Sequence, residues 1–352
     1  MARVLFVLFF SLISNGYAFH AEVKYVKPLI PQARNDGRVI GQDGAYSIEL
    51  KEGSLWLFGD TFFGTKKSDH TFSYAGAVHN AAFMTLDREA TDGIQNITYK
   101  KDSKGYSTYL LENRDGENPK TLKLWPGHGI QIGNKIYIYY SLVEIFGTGS
   151  FDFRHAGRGI AVGEKPLGAY KRITYEGSTA LWKKDEPLFG VAVLKGKDGW
   201  VYIYGRNEKP PHEFKLARVK EENISDINSY FYSSKNEKWS PNIEEAGTLF
   251  IDGPAEGSIS FNEYLDKYIL LYSRVLEKDV VIRTADTPWG KWSSPKTIYK
   301  CEPKKSGGFC YAAKEHPQYS SNKDKIIYFT QVDSSCFFCS LPDLYQVEFK
   351  KR

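Results

Sequence analysis

One kind of segment recurs five times along this chain: Leu55-Trp-Leu-Phe-Gly59, Ile136-Tyr-Ile-Tyr-Tyr140, Val201-Tyr-Ile-Tyr-Gly205, Tyr268-Ile-Leu-Leu-Tyr272 and Ile326-Ile-Tyr-Phe-Thr330. Each is rich in β-branched and aromatic residues, which suit a pleated, buried surface. Each follows a turn: Lys51-Glu-Gly-Ser54, Gly133-Asn-Lys135, Gly196-Lys-Asp-Gly199, Leu265-Asp-Lys267 and Asn322-Lys-Asp-Lys325. Another strand-like run precedes each turn. A second element also repeats. Ala161-Val-Gly-Glu-Lys-Pro-Leu-Gly-Ala-Tyr170 is similar to Arg283-Thr-Ala-Asp-Thr-Pro-Trp-Gly-Lys-Trp292, and Leu216-Ala-Arg-Val219 holds the equivalent place in the third unit. Five units of about four strands each cannot bury their apolar faces singly but can do so when packed radially. The pattern predicts an all-β chain folded as a five-bladed β-propeller, a single domain over residues 19–352. A β-sandwich is the competing all-β arrangement, but sandwiches rarely repeat at this period.

The composition agrees with a globular chain. Of 352 residues, 41% are hydrophobic and 25% charged, which excludes a disordered polymer. Aromatics reach 15%, enough for strands and for a surface that stacks on sugar rings. The net charge of +5 is spread along the chain, and no basic face can be drawn, so nucleic acid is not an expected partner. At the N-terminus, Arg3 is followed by an apolar run from Val4 to Ile13, with small residues Gly16 and Ala18 at −3 and −1 of a cut after Ala18. This is the pattern of a secretory signal peptide over residues 1–18. The run is shorter than the roughly 20 residues that span a bilayer. No later segment is apolar enough to span, so a secreted or periplasmic, monomeric protein is expected. Four cysteines, Cys301, Cys310, Cys336 and Cys339, lie near the C-terminus. Export favours disulfides, and Cys301–Cys310 with Cys336–Cys339 is the preferred of three pairings. The spacing does not suit a zinc ribbon, and no metal or cofactor is expected.

Propeller geometry places the chemistry. In each unit the first strand lines the central channel and the second runs antiparallel beside it, so the start of one and the end of the other share a rim. In the first unit these points are Asp43, in Gly41-Gln-Asp-Gly44, and Asp60, in Leu57-Phe-Gly-Asp60. Two carboxylates from one hairpin then meet at the mouth. Paired carboxylates suit glycoside hydrolysis: one protonates the leaving oxygen, the other attacks the sugar or activates water. The other units are expected to bring His128, Arg206, Glu256, Glu315 and His316 to the same rim as substrate-binding groups. The Gly-rich stretch from Phe146 to Gly159, with Asp152, Arg154 and His155, reads as a rim insertion. The nucleophile elbow, zinc-helix and phosphate-loop motifs are absent, as is the Ser-x-Asp-x-Gly-x-Thr-Trp box of sialidases.

Asp43-Gly-x-x-Ser47 with Gly53-Ser-Leu-Trp-Leu-Phe-Gly-Asp-Thr-Phe62 resembles the opening of the family known as domain of unknown function 4185, whose members include microbial endo-D-arabinanases. Glu256-Gly-Ser-Ile-Ser260, Lys267-Tyr-Ile-Leu-Leu-Tyr-Ser273, Ile282 to Trp292 and Tyr311-Ala-Ala-Lys-Glu-His-Pro317 extend the resemblance over most of the chain. It implies a five-bladed propeller and a catalytic pair at Asp43 and Asp60. The expectation is therefore an exported glycoside hydrolase acting on a polysaccharide or glycan, with arabinofuranose as one candidate sugar. The alternatives are a non-catalytic propeller that binds glycan or protein, which needs no close acid pair, and a polysaccharide lyase, which needs a base beside a uronate.

Overall fold

The computed structural model describes residues 19–30, 37–67, 71–149, 151–234, 238–336 and 338–351. The expected signal peptide lies outside these residues. Among them the regular structure is all β, with isolated 3₁₀ turns and no α-helix.

Five antiparallel sheets follow one another along the chain. The first holds Ala45–Glu49, Ser54–Phe58, Ala81–Thr85 and Thr98–Tyr99. The second holds Leu122–Ile132, Lys135–Ile145, Phe153–Gly163 and Lys171–Arg172, with Trp182–Lys183 added to its third strand. The third begins at Leu188–Lys195 and Trp200–Arg206, the fourth at Ser258–Asn262 and Lys267–Arg274, and the fifth at Cys310–Glu315 and Ile326–Asp333. The N-terminal strand Phe19–Pro28 pairs with Asp343–Lys351, so both ends of the chain complete the fifth sheet. A small extra sheet joins Val39–Gln42, Thr61–Lys66 and Phe72–Val78 beside the first.

All five recurrent segments form the second strand of their sheets. The turns before them explain why the pattern repeats. Each contains a residue with positive φ: Gly53, Gly133, Gly199, Asp266, and Asn322 to Asp324. Such turns match the right-handed twist of the strands they join. At Gly53 no other residue fits, because a Cβ would stand 1.9 Å from the carbonyl oxygen of Thr85.

The first strand of each sheet packs against that of the next. Ala45–Glu49 meets Leu122–Ile132, which meets Leu188–Lys195, which meets Ser258–Asn262, which meets Cys310–Glu315, which returns to Ala45–Glu49. The apolar cores follow the same order. Trp56, Phe58 and Phe83 of the first sheet pack with Tyr328 and Leu344 of the fifth. Leu55 and Leu57 pack with Ile136 and Ile138 of the second. Further cores join the second sheet to the third, the third to the fourth and the fourth to the fifth. Alternate residues of one strand thus enter two cores, because side chains of a strand point to opposite faces. Full burial of one such side chain stabilises the fold by about 1.5–3 kcal/mol.

Cys301 pairs with Cys310 and Cys336 with Cys339, as the spacing suggests. The stretch read as a rim insertion from Phe146 to Gly159 is corrected in its second half: the described residues from Phe146 to Asp152 form a turn, while Phe153 to Gly163 is a strand, paired to Ile136–Ile145 along its length. Its glycines are needed for packing, not for loop freedom. A Cβ at Gly159 would meet the Thr179 carbonyl at 2.4 Å and the Tyr140 hydroxyl at 2.5 Å.

Candidate active site

Asp43 and Gly44 link the last strand-residue of the small sheet, Gln42, to the inner strand of the first large sheet. The Asp43 backbone N–H donates to the Asp60 carbonyl oxygen at 2.9 Å, which extends the Ala45–Phe58 pairing and holds both residues at one end of the hairpin. Both side chains line a cavity of about 480 Å³, and Glu256, which leads into the inner strand of the fourth sheet, lines it too. Gly44 makes this approach possible. Its φ is +22°, and a Cβ there would stand 3.0 Å from both Glu256 Oε1 and Lys314 Nζ.

The three carboxylates are held differently. Lys123 Nζ pairs with Asp60 Oδ2 at 2.7 Å, and the Trp125 indole N–H donates to Asp60 Oδ1 at 3.0 Å. Lys314 Nζ pairs with Glu256 Oε1 at 2.7 Å and sits 4.3 Å from the centre of the Tyr46 ring. Among the described residues Asp43 forms no ion pair within 4.0 Å. Burial raises its carboxyl to about 7, the nearby charge of Glu256 adds to this, and Asp60 adds less. A hydrogen bond with Tyr311 and the charge of Lys314 act in the opposite direction. The Tyr311 hydroxyl is itself held well above its usual range by burial and by Asp43, so it serves Asp43 as a neutral donor. One carboxyl poised near neutrality beside two lysine-paired carboxylates is an acid–base arrangement. Trp125, Phe62, Phe309 and the exposed Phe151 add aromatic faces to the same cavity.

Arg206 lines a second cavity of about 280 Å³, which shares Tyr46, Trp125 and Glu256 with the first. The remaining expected rim residues stand apart from both. His128 is half-buried and stacked on Tyr46 with ring centres 5.7 Å apart. Its Nδ1 accepts from the Val193 N–H at 2.9 Å, so its Nε2–H donates to the Ser47 carbonyl at 3.2 Å. One imidazole therefore ties three inner strands together. Burial pushes its pKa down to about 4, which keeps it neutral. His316 is fully buried between Ser47 Oγ at 2.7 Å and Thr330 Oγ1 at 2.8 Å, against the Trp56 ring. Glu315 is buried too, accepts from Ser260 Oγ at 2.7 Å, and is raised to about 8 by burial. Both support the channel wall and line neither cavity.

Sequence reasoning missed Tyr46, Lys123, Arg158, Tyr311 and Lys314. A signal was present for Lys123 and Trp125: two residues apart on one strand, they face the same side. Lys314 follows an irregularity in its strand between Tyr311 and Lys314, where Ala312 has a φ of +60°. Such bulges re-aim side chains and leave no plain periodic signal. Among the described residues no group of three or more His, Cys, Asp or Glu is arranged to hold a metal ion, and no helix is long and apolar enough to cross a membrane.

The fold is shared with several solved structures. A candidate hydrolase from Bacteroides ovatus matches with a TM-score of 0.67 at 16% identity, over 95% of this chain and 93% of its own. CoXyl43, a GH43 β-xylosidase/α-arabinofuranosidase from a compost metagenome bound to xylotriose, matches with a TM-score of 0.52 at 14% identity, over 93% and 94%. Zg3597, a family 117 glycoside hydrolase from the marine bacterium Zobellia galactanivorans, matches with a TM-score of 0.52 at 9% identity, over 94% and 90%. The protein is thus of the all-β, propeller-like class that these structures share. The chain belongs to the family described as Domain of unknown function (DUF5005), whose profile matches residues 33–340. No curated protein sequence matches it. This corrects the resemblance to domain of unknown function 4185. The hairpin Gly53 to Phe62 that carried the likeness is shaped by a tight turn, two buried faces and an acid at the mouth. The turn and the buried faces belong to the architecture and do not separate one family from another.

Proposed function

We propose that the protein is an exported glycoside hydrolase whose five sheets form the blades of a closed propeller, in one domain over residues 19–352 once residues 1–18 are removed. The cyclic order of inner-strand contacts supports five blades. The two disulfides fit an oxidising compartment.

The observation that carries the hydrolase reading is the pairing of Asp43, raised to about 7, with Asp60, held by Lys123, in one cavity. In this reading Asp43 donates its proton to the glycosidic oxygen as the bond to the anomeric carbon breaks. The Asp60 carboxylate attacks that carbon or takes a proton from the attacking water. Glu256 assists by keeping the Asp43 proton in place, and Tyr311 orients the Asp43 carboxyl. Aromatic faces such as Trp125 stack on sugar rings. The glycoside hydrolases among the structural neighbours support a glycan substrate, and one of them binds xylotriose.

The test is incubation of the mature protein with a panel of plant, algal and bacterial polysaccharides, followed by product analysis. New reducing ends on at least one polymer are expected. Binding to a polymer without any chain cleavage overturns the hydrolase reading in favour of a glycan-binding propeller.

A further inference from the structure

The second cavity holds two guanidiniums that lack a direct ion pair among the described residues, although Glu208 and Glu256 also line it. Arg158, from the third strand of the second sheet, is only 6% exposed and lines this cavity. Its guanidinium has no ion pair within 4.0 Å and no hydrogen bond among the described residues, and its Nε is buried without a partner. Arg206 enters the same cavity from the third sheet. One Nη donates to the Gly253 carbonyl at 3.3 Å, while its Nε is likewise buried and unpartnered. His155 completes the wall, with Nδ1 buried and unbonded and Nε2 3.9 Å from Glu208 Oε2. The nearest acids do not discharge the pair. Glu208 is exposed and lies within 4.0 Å of neither guanidinium, and Glu256 is taken by Lys314.

A buried, unpaired guanidinium is costly, because desolvation removes water that nothing replaces. Burial lowers Arg158 to about 10; Tyr46, Glu208 and Glu256 oppose that shift, and the charge of Arg206 adds to it. The buried Arg158 fork and the half-buried Arg206 fork beside it in one wall are preorganised for an oxyanion, which accepts N–H donors from each.

The cavity adjoins the carboxylates at Tyr46, Trp125 and Glu256. We propose that it seats the anionic substituent of an acidic saccharide, a carboxylate or a sulfate ester, held by Arg158 and Arg206 while the attached sugar reaches the mouth. This rests on the hydrolase reading only for the fate of the sugar, since the seat itself needs no turnover.

The test is titration of the mature chain, followed by NMR, with matched methyl glycosides: galactose, galacturonate and galactose 6-sulfate, and the corresponding gluco set. At low ionic strength at least one anion is expected to bind tenfold or more tighter than its neutral parent, with the preference shrinking as salt is added. The uronate and sulfate arms tell the two substituents apart. In Arg206→Gln the ratio of anionic to neutral affinity is expected to fall at least tenfold. In Arg158→Lys, which keeps the charge and loses the fork, it should fall by less. Equal binding of anionic and neutral forms, or an unchanged ratio in Arg206→Gln, overturns the proposal. Cleavage of neutral polymers without an anionic preference removes the seat and leaves the hydrolase. Anion binding without cleavage of any polymer does the reverse.

Discussion

The Asp43 backbone N–H donates to the Asp60 carbonyl oxygen at 2.9 Å, while the two side chains have different settings: Asp60 is paired with Lys123, and Asp43 has no ion pair within 4.0 Å among the described residues. A single backbone bond holds two carboxyls in one cavity, and burial with the charge of Glu256 raises the proton affinity of Asp43. The predictions below follow from that shift and from the way the inner strands are tied.

On the proposed mechanism the Asp43 carboxyl, at about 7 against an ordinary value of 3.8, is expected to give activity an alkaline limb. A proton donor is lost as pH rises through its folded pKa, so turnover falls above about pH 7. Glu256 is the largest charged contributor to the shift. Glu256→Gln should therefore move the limb to lower pH, and a pH–rate profile of both proteins reads the displacement.

The same shift makes Asp43 a liability for stability. Its folded pKa is above its unfolded one, so the folded state binds the proton more tightly. The stability this confers is complete below about pH 4 and lost as pH rises towards 7. At pH 8 the buried carboxylate costs on the order of 2–4 kcal/mol. Asp43→Asn removes that cost, and its melting temperature at pH 8 should exceed that of the parent by several degrees, with little difference at pH 4.

Gly44→Ala introduces a Cβ 3.0 Å from Glu256 Oε1 and from Lys314 Nζ at a φ of +22°. The pair must move apart or the hairpin must shift. A tenfold or larger loss of kcat is expected with a modest change in melting temperature, measured on the polymer that the parent cleaves.

His128→Ala leaves the Val193 N–H and the Ser47 carbonyl without partners and opens a void beneath Tyr46. Each unsatisfied buried group costs about 1–3 kcal/mol, so this variant should be among the least stable single substitutions, as chemical denaturation will show. Because the imidazole is neutral well above pH 4, the loss should be the same at pH 6 and pH 8.

Much of the architecture was legible because it repeats. The five aromatic segments announced the second strands, and positive-φ turns at Gly53, Gly133 and Gly199 stood in the sequence as glycines. Asp43 and Asp60 were legible because hairpin geometry alone brings the two ends of a strand pair together. Other features depend on contacts remote in sequence. Glu315 and His316 looked like rim groups because a motif places residues on a strand but not at a depth, and depth is set by Ser47, Ser260 and Thr330 on neighbouring strands. Arg158 was hidden in a segment whose glycines suggested a loop, where they in fact allow a strand to pack closely against Tyr140 and Thr179. The family was not readable from the hairpin motif, since the fold itself demands that motif's turn and buried faces.

The most direct measurement compares turnover by the mature parent protein, Asp43→Asn and Asp60→Asn on a polymer that the parent cleaves, at pH 6 and with folding checked by melting temperature. Both variants are expected to lose at least a thousandfold in kcat while remaining folded, because on the proposed mechanism each lacks one of the two catalytic carboxyls. Full turnover in either variant would contradict the account.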